Sequence, residues 1–183
     1  TNCYLVWDDS ADSCVVIDPG FEAQEVLLAA KRLGKRIQAI LLTHGHFDHV
    51  GAVKDLAADT DCRVFLCKED LKLPTQLTAG TLYYTDTYAE GDDITAAGVS
   101  FHVWQTPGHT QGSVCLMTQG HIFSGDTLFA GTCGRTDLPG GSWETIRASL
   151  RRLAQLEGDY IVHPGHGEST TLAQEKMYNP YMR

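Results

Sequence analysis

The stretch that decides the fold is Thr43-His44-Gly45-His46-Phe47-Asp48-His49. An apolar segment typical of a buried strand precedes it, and a helical pattern follows it. On extended backbone His44 and His46 point the same way, and the turn that follows returns Asp48 and His49 towards them. Neutral imidazole and carboxylate are ligands of zinc and other divalent first-row metals. The stretch therefore predicts a metal site where a strand gives way to a helix.

Strand and helix patterns alternate along the rest of the chain, which indicates an α/β protein. The predicted strands are Tyr4–Trp7, Cys14–Ile17, Ile37–Leu42, Arg63–Leu66, Val99–Trp104, Ser113–Met117, His121–Phe123 and Tyr160–Val162. The predicted helices are Glu22–Leu33, His49–Ala58, a helix capped by Ser142 or Thr145 that runs to Leu156, and Leu172–Tyr178. Residues 131–142 are predicted to form a loop, and residues 68–92 have no readable pattern. We expect one domain over residues 1–183, with a short first strand missing before Thr1.

Composition and charge narrow the classes of function. The chain has 183 residues, 43% of them hydrophobic and 20% charged, which is typical of an ordinary globular protein. Its formal net charge of −9 disfavours nucleic acid and anionic membrane surfaces as partners. The six cysteines form no CxxC pair and no dense framework, so we expect reduced thiols and a cytoplasmic protein. A small molecule is the expected substrate, and the oligomeric state stays open.

Three more residues of metal-ligand type follow predicted strands, each in a turn that contains glycine. They are His109 in Thr106–Thr110, Asp126 in Ser124–Thr127 and His166 in Pro164–Gly167. His163 competes with His166, but it ends a strand, whereas His166 lies in the loop beyond it. The loop position favours His166. Asp18 has two readings of equal weight, a partner that orients a ligand histidine or a residue that closes a turn.

These residues together resemble the metallo-β-lactamase fold superfamily of metallohydrolases. The resemblance implies a four-layered αββα sandwich with the site along one edge of its two sheets. It assigns one metal to His44, His46 and His109, a second to Asp48, His49 and His166, and a bridging position to Asp126. It implies two divalent metal ions, with zinc expected and iron or manganese as alternatives. Asp48 and Asp126 are the expected catalytic residues.

Within that superfamily the chain resembles the glyoxalase II branch, in particular its short bacterial members. The likeness is carried by residues 125–135 and by the stretch Gly-Arg-Thr-Asp-Leu-Pro-Gly-Gly that begins at Gly134. Arg135 and Asp137 are the substrate-side candidates, because arginine forks onto carboxylates. The alternative for them is a surface ion pair with each other. Glyoxalase II proper carries a further C-terminal helical region that binds glutathione, and we expect none here.

The resemblance implies thioester hydrolysis, in which acyl-thiol and water give acid and thiol with a metal-bridging hydroxide as nucleophile. The first alternative is a mononuclear iron persulfide dioxygenase, an enzyme that shares this fold and a similar Gly-Arg-Thr-Asp stretch. A second alternative is a lactonase or β-lactamase-like hydrolase. A degenerate member acting as a binding module is disfavoured, because all seven ligand positions are filled.

Overall fold

In a computed structural model of the chain, which describes residues 1–78 and 80–183, the strands form two main sheets. The first sheet has five strands in sequential order: β1 (Tyr4–Val6), β2 (Ser13–Ile17), β3 (Arg36–Leu41), β4 (Arg63–Cys67) and β5 (Asp86–Tyr88). The β1–β2 pair is antiparallel, and the other pairs are parallel. The middle strands are apolar on both faces, as expected for a sheet that is covered on both sides.

The second sheet has six strands and is mostly antiparallel. Its spatial order runs from β13 (Thr170–Thr171) through β12 (Ile161–Pro164), β9 (His121–Gly125), β8 (Val114–Thr118) and β7 (Val99–Gln105) to β6 (Asp93–Ala96). The β8–β9 hairpin that the sequence predicted is present, with Thr118 opposite His121. A separate two-stranded hairpin joins β10 (Leu128–Phe129) to β11 (Thr132–Cys133).

The helices cover the outer faces of the two sheets. They are α1 (Ala23–Arg32), α2 (Phe47–Val50), α3 (Val53–Thr60), α4 (Trp143–Ala154) and α5 (Leu172–Tyr178). One apolar cluster lies between the first sheet and α1 and α3, a second between the two sheets, and a third between the second sheet and α4 and α5. Three apolar interfaces separate four layers, so the predicted αββα sandwich is confirmed. Ser142 caps α4, as one of the two predicted residues.

The single helix predicted over His49–Ala58 is wrong, because the segment forms two helices. α2 ends at Val50, and α3 begins at Val53. Between them the Ala52 N–H donates to the Pro19 carbonyl, 3.0 Å away, instead of to a carbonyl of its own helix. This bond ties the helix pair to the loop after β2, and a sequence pattern carries no sign of such a long-range contact.

Other differences lie at short or irregular segments. Residues 68–92 contain two short 3₁₀ turns, Lys68–Lys72 and Thr75–Leu77, and the strand β5. The predicted loop 131–142 includes β11, which is only two residues long. β6 and β13 were not predicted, because both are short and neither contains an apolar run. β12 extends to Pro164, two residues beyond its predicted end.

Two further properties follow from the described residues. All six cysteines have free thiols, and four of them are buried. Within residues 1–78 and 80–183, every helix is too short or too polar to cross a membrane.

One edge of the sandwich collects the loops that carry the predicted site residues. β2, β3 and β4 are parallel, so their carboxyl ends lie at the same edge of the first sheet. In the second sheet β9 and β12 are parallel, and β7 shares their direction because two antiparallel pairings relate it to β9. The loops after these six strands therefore bring polar side chains from both sheets to one place.

Candidate metal centre

Three histidines from two loops converge at this edge, and we call His44, His46 and His109 the three-histidine group. One nitrogen of each lies within 4.8 Å of the others, and Nδ1 of His46 is 2.8 Å from Nε2 of His109. All three side chains are buried. Burial lowers the pKa of each imidazole, that of His46 to about 4, so the group is neutral at pH 7. Neutral imidazole is the form that binds a metal.

A second group, the mixed group, consists of Asp48, His49 and His166. Asp48 Oδ2 lies 3.6 Å from Nε2 of His49 and 3.2 Å from Nε2 of His166. The His49 side chain is fully buried, whereas 43% of the His166 side chain is exposed. The mixed group thus forms the solvent-facing side of the cluster.

Asp126 lies between the two groups. Its Oδ1 is 3.4 Å from Nε2 of His49, and its Oδ2 is 3.5 Å from Nε2 of both His109 and His166. Burial raises the pKa of the Asp126 carboxyl, but His166, His49 and His44 lower it by more, so the pKa lies well below its usual range. Asp126 is therefore a carboxylate that touches residues of both groups.

The imidazole orientations are fixed from behind by hydrogen bonds at Nδ1. Nδ1 of His49 lies 2.9 Å from Asp18 Oδ2, and Nδ1 of His109 lies 2.8 Å from the Arg135 carbonyl. Each of these acceptors holds the proton on Nδ1, so the Nε2 lone pair is directed towards the cluster. Of the two readings of Asp18, the structure supports the orienting one.

The buried polar atoms of the cluster indicate whether its residues fit divalent cations. Among the described residues, four buried atoms of the site have no hydrogen-bond partner: Nε2 of His44, Nε2 of His46, Nε2 of His49 and Oδ1 of Asp126. Buried polar atoms in native proteins nearly always have a partner. Imidazole nitrogens and a carboxylate are also the donor set that zinc, iron and manganese accept. Cations at this cluster would provide the missing partners.

A backbone segment approaches the cluster closely at Gly165. A Cβ built on Gly165 would lie 2.2 Å from Asp126 Oδ1 and 2.7 Å from His49 Cε1. No side chain can occupy that position without displacing a residue of the cluster. The glycine before His166 therefore lets the loop after β12 approach the site.

The site opens into a cavity of about 240 Å³. Phe47, Leu77 and Leu138 provide its apolar walls, and Arg135 lies at its rim. The Arg135 guanidinium forms two 2.7 Å hydrogen bonds to the Asp137 carboxylate, and both side chains are more than half exposed. The cavity is small compared with common ligand sites. The predicted pair Arg135 and Asp137 is thus present as a surface ion pair beside the cavity.

The structure brings all seven predicted metal-type residues together and separates them from His163. His163 lies in β12, where its ring is stacked on Phe123 at 4.9 Å and its Nε2 is 3.0 Å from Nδ1 of His121. His166, not His163, therefore faces the cluster, as the loop argument predicted.

Asp70 is a buried acidic residue near the site that the sequence analysis did not single out. It is fully buried, and it accepts a 2.8 Å hydrogen bond from the Gly45 N–H, inside the ligand stretch. The sequence signal that could have identified Asp70 is the same one that identified the other site residues. It is an acidic residue that comes soon after a buried strand, here β4. The unreadable pattern of residues 68–92 hid that signal.

The comparisons with known proteins agree with this geometry. A family model described as the metallo-β-lactamase superfamily matches residues 1–166. Hydroxyacylglutathione hydrolase GloC of Haemophilus influenzae is 36% identical over 196 residues, which cover 99% of this chain and 92% of that protein. The chain is thus similar over almost all of its length to a protein named as a hydrolase of hydroxyacylglutathione.

Solved structures show the same fold. The BLEG-1 B3 metallo-β-lactamase superposes with a TM-score of 0.91 at 33% identity, covering 99% of this chain and 93% of that one. TTHA1623, solved in a di-iron-bound form, gives 0.87 at 38% identity, with 98% and 94% covered. ETHE1 from Myxococcus xanthus gives 0.86 at 29% identity, with 97% and 77% covered.

The family model spans the whole cluster from Asp18 to His166, and the fold around the cluster is one that binds divalent metals. The chain therefore belongs to the metallo-β-lactamase superfamily, a superfamily of metallohydrolase enzymes.

Proposed function

We propose that the chain is a binuclear metal-dependent hydrolase that cleaves thioesters of the glyoxalase II type to an acid and a thiol. The observation that carries the proposal is the arrangement of two three-residue groups that share Asp126. The three-histidine group would hold one divalent cation and the mixed group a second. The likeness to GloC of Haemophilus influenzae supports a thioester as the substrate.

Some residues of the site would bind the cations, and others would orient the ligand side chains and the attacking water. Bound cations would supply Lewis acidity, which lowers the pKa of a water to about 7 and polarises a carbonyl. Asp126 touches both groups, so it can align them and orient the attacking water. Asp18 and the Arg135 carbonyl keep His49 and His109 in the required tautomer.

The cavity suits a small acyl group and a thiolate leaving group. Phe47, Leu77 and Leu138 can pack on the acyl chain and exclude bulk water from the reacting carbonyl. A thiol has a pKa of about 8.5, so a thiolate leaves without a strong general acid. Among the described residues that line the cavity, none outside the seven cluster residues carries a carboxyl or imidazole group that could serve as such an acid.

The test is a hydrolysis assay on metal-loaded protein with a panel of thioesters, with a lactone and a β-lactam as further members. Thioester cleavage that stops on chelation and returns with Zn²⁺, Mn²⁺ or Fe²⁺ would support the proposal and identify the metal. Asp126→Asn should lower metal content and turnover together, since it removes the carboxylate that both groups share. Full activity of Asp126→Asn with two metals bound would contradict the role of Asp126.

A mononuclear iron persulfide dioxygenase is the second candidate. Nδ1 of His46 is 2.8 Å from Nε2 of His109, and Nε2 of His109 is 3.5 Å from Asp126 Oδ2. Two histidines and one carboxylate therefore lie together. This set is typical of non-haem iron oxygenases. Oxygen uptake with a persulfide substrate, by protein that holds one iron and cleaves no thioester, would favour this candidate over the hydrolase.

The setting we propose is a cytoplasmic enzyme with a small-molecule substrate. Six free thiols support a reducing compartment. The acidic net charge supports neither nucleic acid nor an anionic membrane as a partner.

A further inference from the structure

A buried carboxylate outside the seven cluster residues lies directly behind the three-histidine group. Asp70 is in the 3₁₀ turn Lys68–Lys72, which follows β4, and none of its surface is exposed. A buried carboxylate is costly unless its oxygens accept hydrogen bonds. The hydrogen-bond donors to Asp70 therefore indicate which segments its carboxylate stabilises.

Both oxygens of Asp70 accept hydrogen bonds from the two loops that carry the three-histidine group. Oδ2 accepts from the Gly45 N–H at 2.8 Å and from the Thr110 hydroxyl at 2.9 Å. Oδ1 accepts from the Gly112 N–H at 2.7 Å. Gly45 lies between His44 and His46, and Thr110 follows His109. One carboxylate thus ties the first-sheet loop to the second-sheet loop.

The Asp70 carboxylate is packed so closely against Gly112 that neither group can shift to a different hydrogen-bond arrangement. A Cβ built on Gly112 would lie 2.6 Å from the Asp70 carboxyl carbon, so the backbone is in direct contact with the carboxylate. An ionised carboxylate accepts on both oxygens and donates nothing, which matches three donors. In Asp70→Asn the carboxamide NH₂ would replace one of the two oxygens. It would face either the donors Gly45 and Thr110 or the donor Gly112, and the hydrogen bonds on that side would be lost.

We propose that Asp70 is a positioning residue that sets the cation affinity of the three-histidine group and leaves that of the mixed group unchanged. The inference rests on the proposed function, because it takes the three-histidine group as a cation site. The hydrogen bonds of Asp70 reach the loops of His44, His46 and His109. The mixed group has its own carboxylate, Asp18, behind His49.

The test isolates each group by removing one residue of the other. His166→Ala leaves the three-histidine group intact, and His46→Ala leaves the mixed group intact. In each background Zn²⁺ is titrated into metal-free full-length protein against a competing chelator, with Asp70 and with Asp70→Asn. We expect Asp70→Asn to weaken Zn²⁺ binding by about 10- to 100-fold in the His166→Ala background. We expect no change in the His46→Ala background.

A second pair of variants covers the case in which Asp70→Asn does not fold. Thr110→Val removes one donor to Asp70 at nearly constant shape, and Thr110→Ser keeps the hydroxyl. We expect Thr110→Val to weaken Zn²⁺ binding by the three-histidine group and Thr110→Ser to retain the wild-type affinity. Equal affinities of the two variants would overturn the proposal.

Glu175→Gln is the matched control, because Glu175 is also a buried carboxylate with three donors. It accepts from Thr170, Gly131 and Asn179, at 2.7, 2.8 and 2.8 Å, and none of these lies in the loops of the three-histidine group. We expect Glu175→Gln to lower stability against urea and to leave Zn²⁺ binding by the three-histidine group unchanged. An equal loss of Zn²⁺ affinity in Glu175→Gln and Asp70→Asn would show general destabilisation and overturn the proposal.

The outcomes separate this inference from the proposed function. If the His166→Ala protein with Asp70 in place binds no Zn²⁺, both fail together. If it binds Zn²⁺ and Asp70→Asn binds it equally well, only the positioning role fails.

Discussion

Asp18 shows how a single residue links backbone conformation to the site. It follows β2 directly and has a φ of 51°, a left-handed conformation that few non-glycine residues adopt and that Asp tolerates. Its carboxylate accepts from the Thr43 N–H at 2.7 Å and from the Thr43 hydroxyl, and it holds Nδ1 of His49 at 2.9 Å. Those contacts stabilise the strained conformation and also fix the histidine. Local strain of this kind is common at functional sites.

Asp18→Ala should damage both stability and metal binding. It leaves the buried Thr43 N–H without an acceptor and His49 without its partner, which costs about 3–5 kcal/mol in the free energy of unfolding. Loss of the orienting carboxylate should also weaken metal affinity by about 10- to 100-fold. Urea unfolding and Zn²⁺ competition measure the two effects. Asp18→Asn, which keeps an acceptor and tolerates the same φ, should lose less. An alanine variant with wild-type Zn²⁺ affinity would contradict the orienting role.

Asp70 should give the metal-free protein a measurable pH dependence. Burial raises the pKa of Asp70 to about 6, even though three donors oppose the shift, and the unfolded chain has a pKa of about 3.9 there. Between these values the folded state holds a proton that the unfolded state has lost. The free energy of unfolding, relative to Asp70→Asn, should therefore fall by about 2 kcal/mol as pH rises from 4 to 6.

The measurement is urea unfolding of metal-free wild type and of Asp70→Asn at half-unit steps between pH 4 and pH 8. The difference between the two proteins should become constant above about pH 6.5, because Asp70 is then ionised in both states. The other titrating groups cancel, since both proteins contain them. A difference that stays flat from pH 4 to pH 6 would show that the folded pKa of Asp70 is not raised.

At the scale of elements, each strand of the site edge delivers its residue through a short loop. β3 leads directly into the ligand stretch, β9 into Asp126 and β12 into His166. Short loops limit how far a side chain can move, so strand positions determine ligand positions. The close approach of Gly165 to Asp126 shows that even a methyl group at this position would displace a residue of the cluster.

Gly165→Ala should disrupt the cluster by steric contact. The new Cβ would lie 2.2 Å from Asp126 Oδ1, so Asp126 or the loop after β12 must move and metal content should fall. Gly167→Ala is the control, because a Cβ there meets nothing within 4 Å, although its φ of +79° makes alanine strained. Elemental analysis of both variants after identical metal loading measures the effect. Full occupancy in Gly165→Ala, or equal loss in Gly167→Ala, would contradict the steric argument.

The elements also show how far a sequence can be read. β3, α5 and the β8–β9 hairpin were predicted to within two residues, because apolar runs and turn residues are local signals. The break between α2 and α3 was not, since it depends on a hydrogen bond from Ala52 to the distant Pro19. The cluster residues were predicted from their chemistry and their place after strands. Asp70 was missed because it lies in a segment without a readable pattern, and its contacts with Gly45, Thr110 and Gly112 join loops that are distant in sequence.

At the scale of the whole molecule, the site joins the two halves of the sandwich. The three-histidine group takes His44 and His46 from the first sheet and His109 from the second. The mixed group takes Asp48 and His49 from the first sheet and His166 from the second. Cations bound at these groups would therefore link the two sheets, in addition to the apolar cluster between them.

Metal removal should lower global stability. Each cation that binds only the folded state adds about 2.7 kcal/mol when its free concentration is 100-fold above Kd. Two such sites add about 5 kcal/mol, which for a chain of this size corresponds to a Tm shift of about 10–20 °C. Thermal unfolding before and after dialysis against a chelator measures the shift, and two equivalents of Zn²⁺ should restore Tm. A Tm that does not respond to chelation or to Zn²⁺ would show that the sheets are not linked by metal.

The most direct test of the central claim is the number of metal ions per chain. Elemental analysis of protein purified without an affinity tag or added metal gives this number, and oxygen uptake and thioester cleavage are then measured on the same sample. The binuclear hydrolase predicts close to two divalent ions per chain together with thioester cleavage. Close to one iron per chain, with oxygen consumed in the presence of a persulfide and no thioester cleaved, would contradict it.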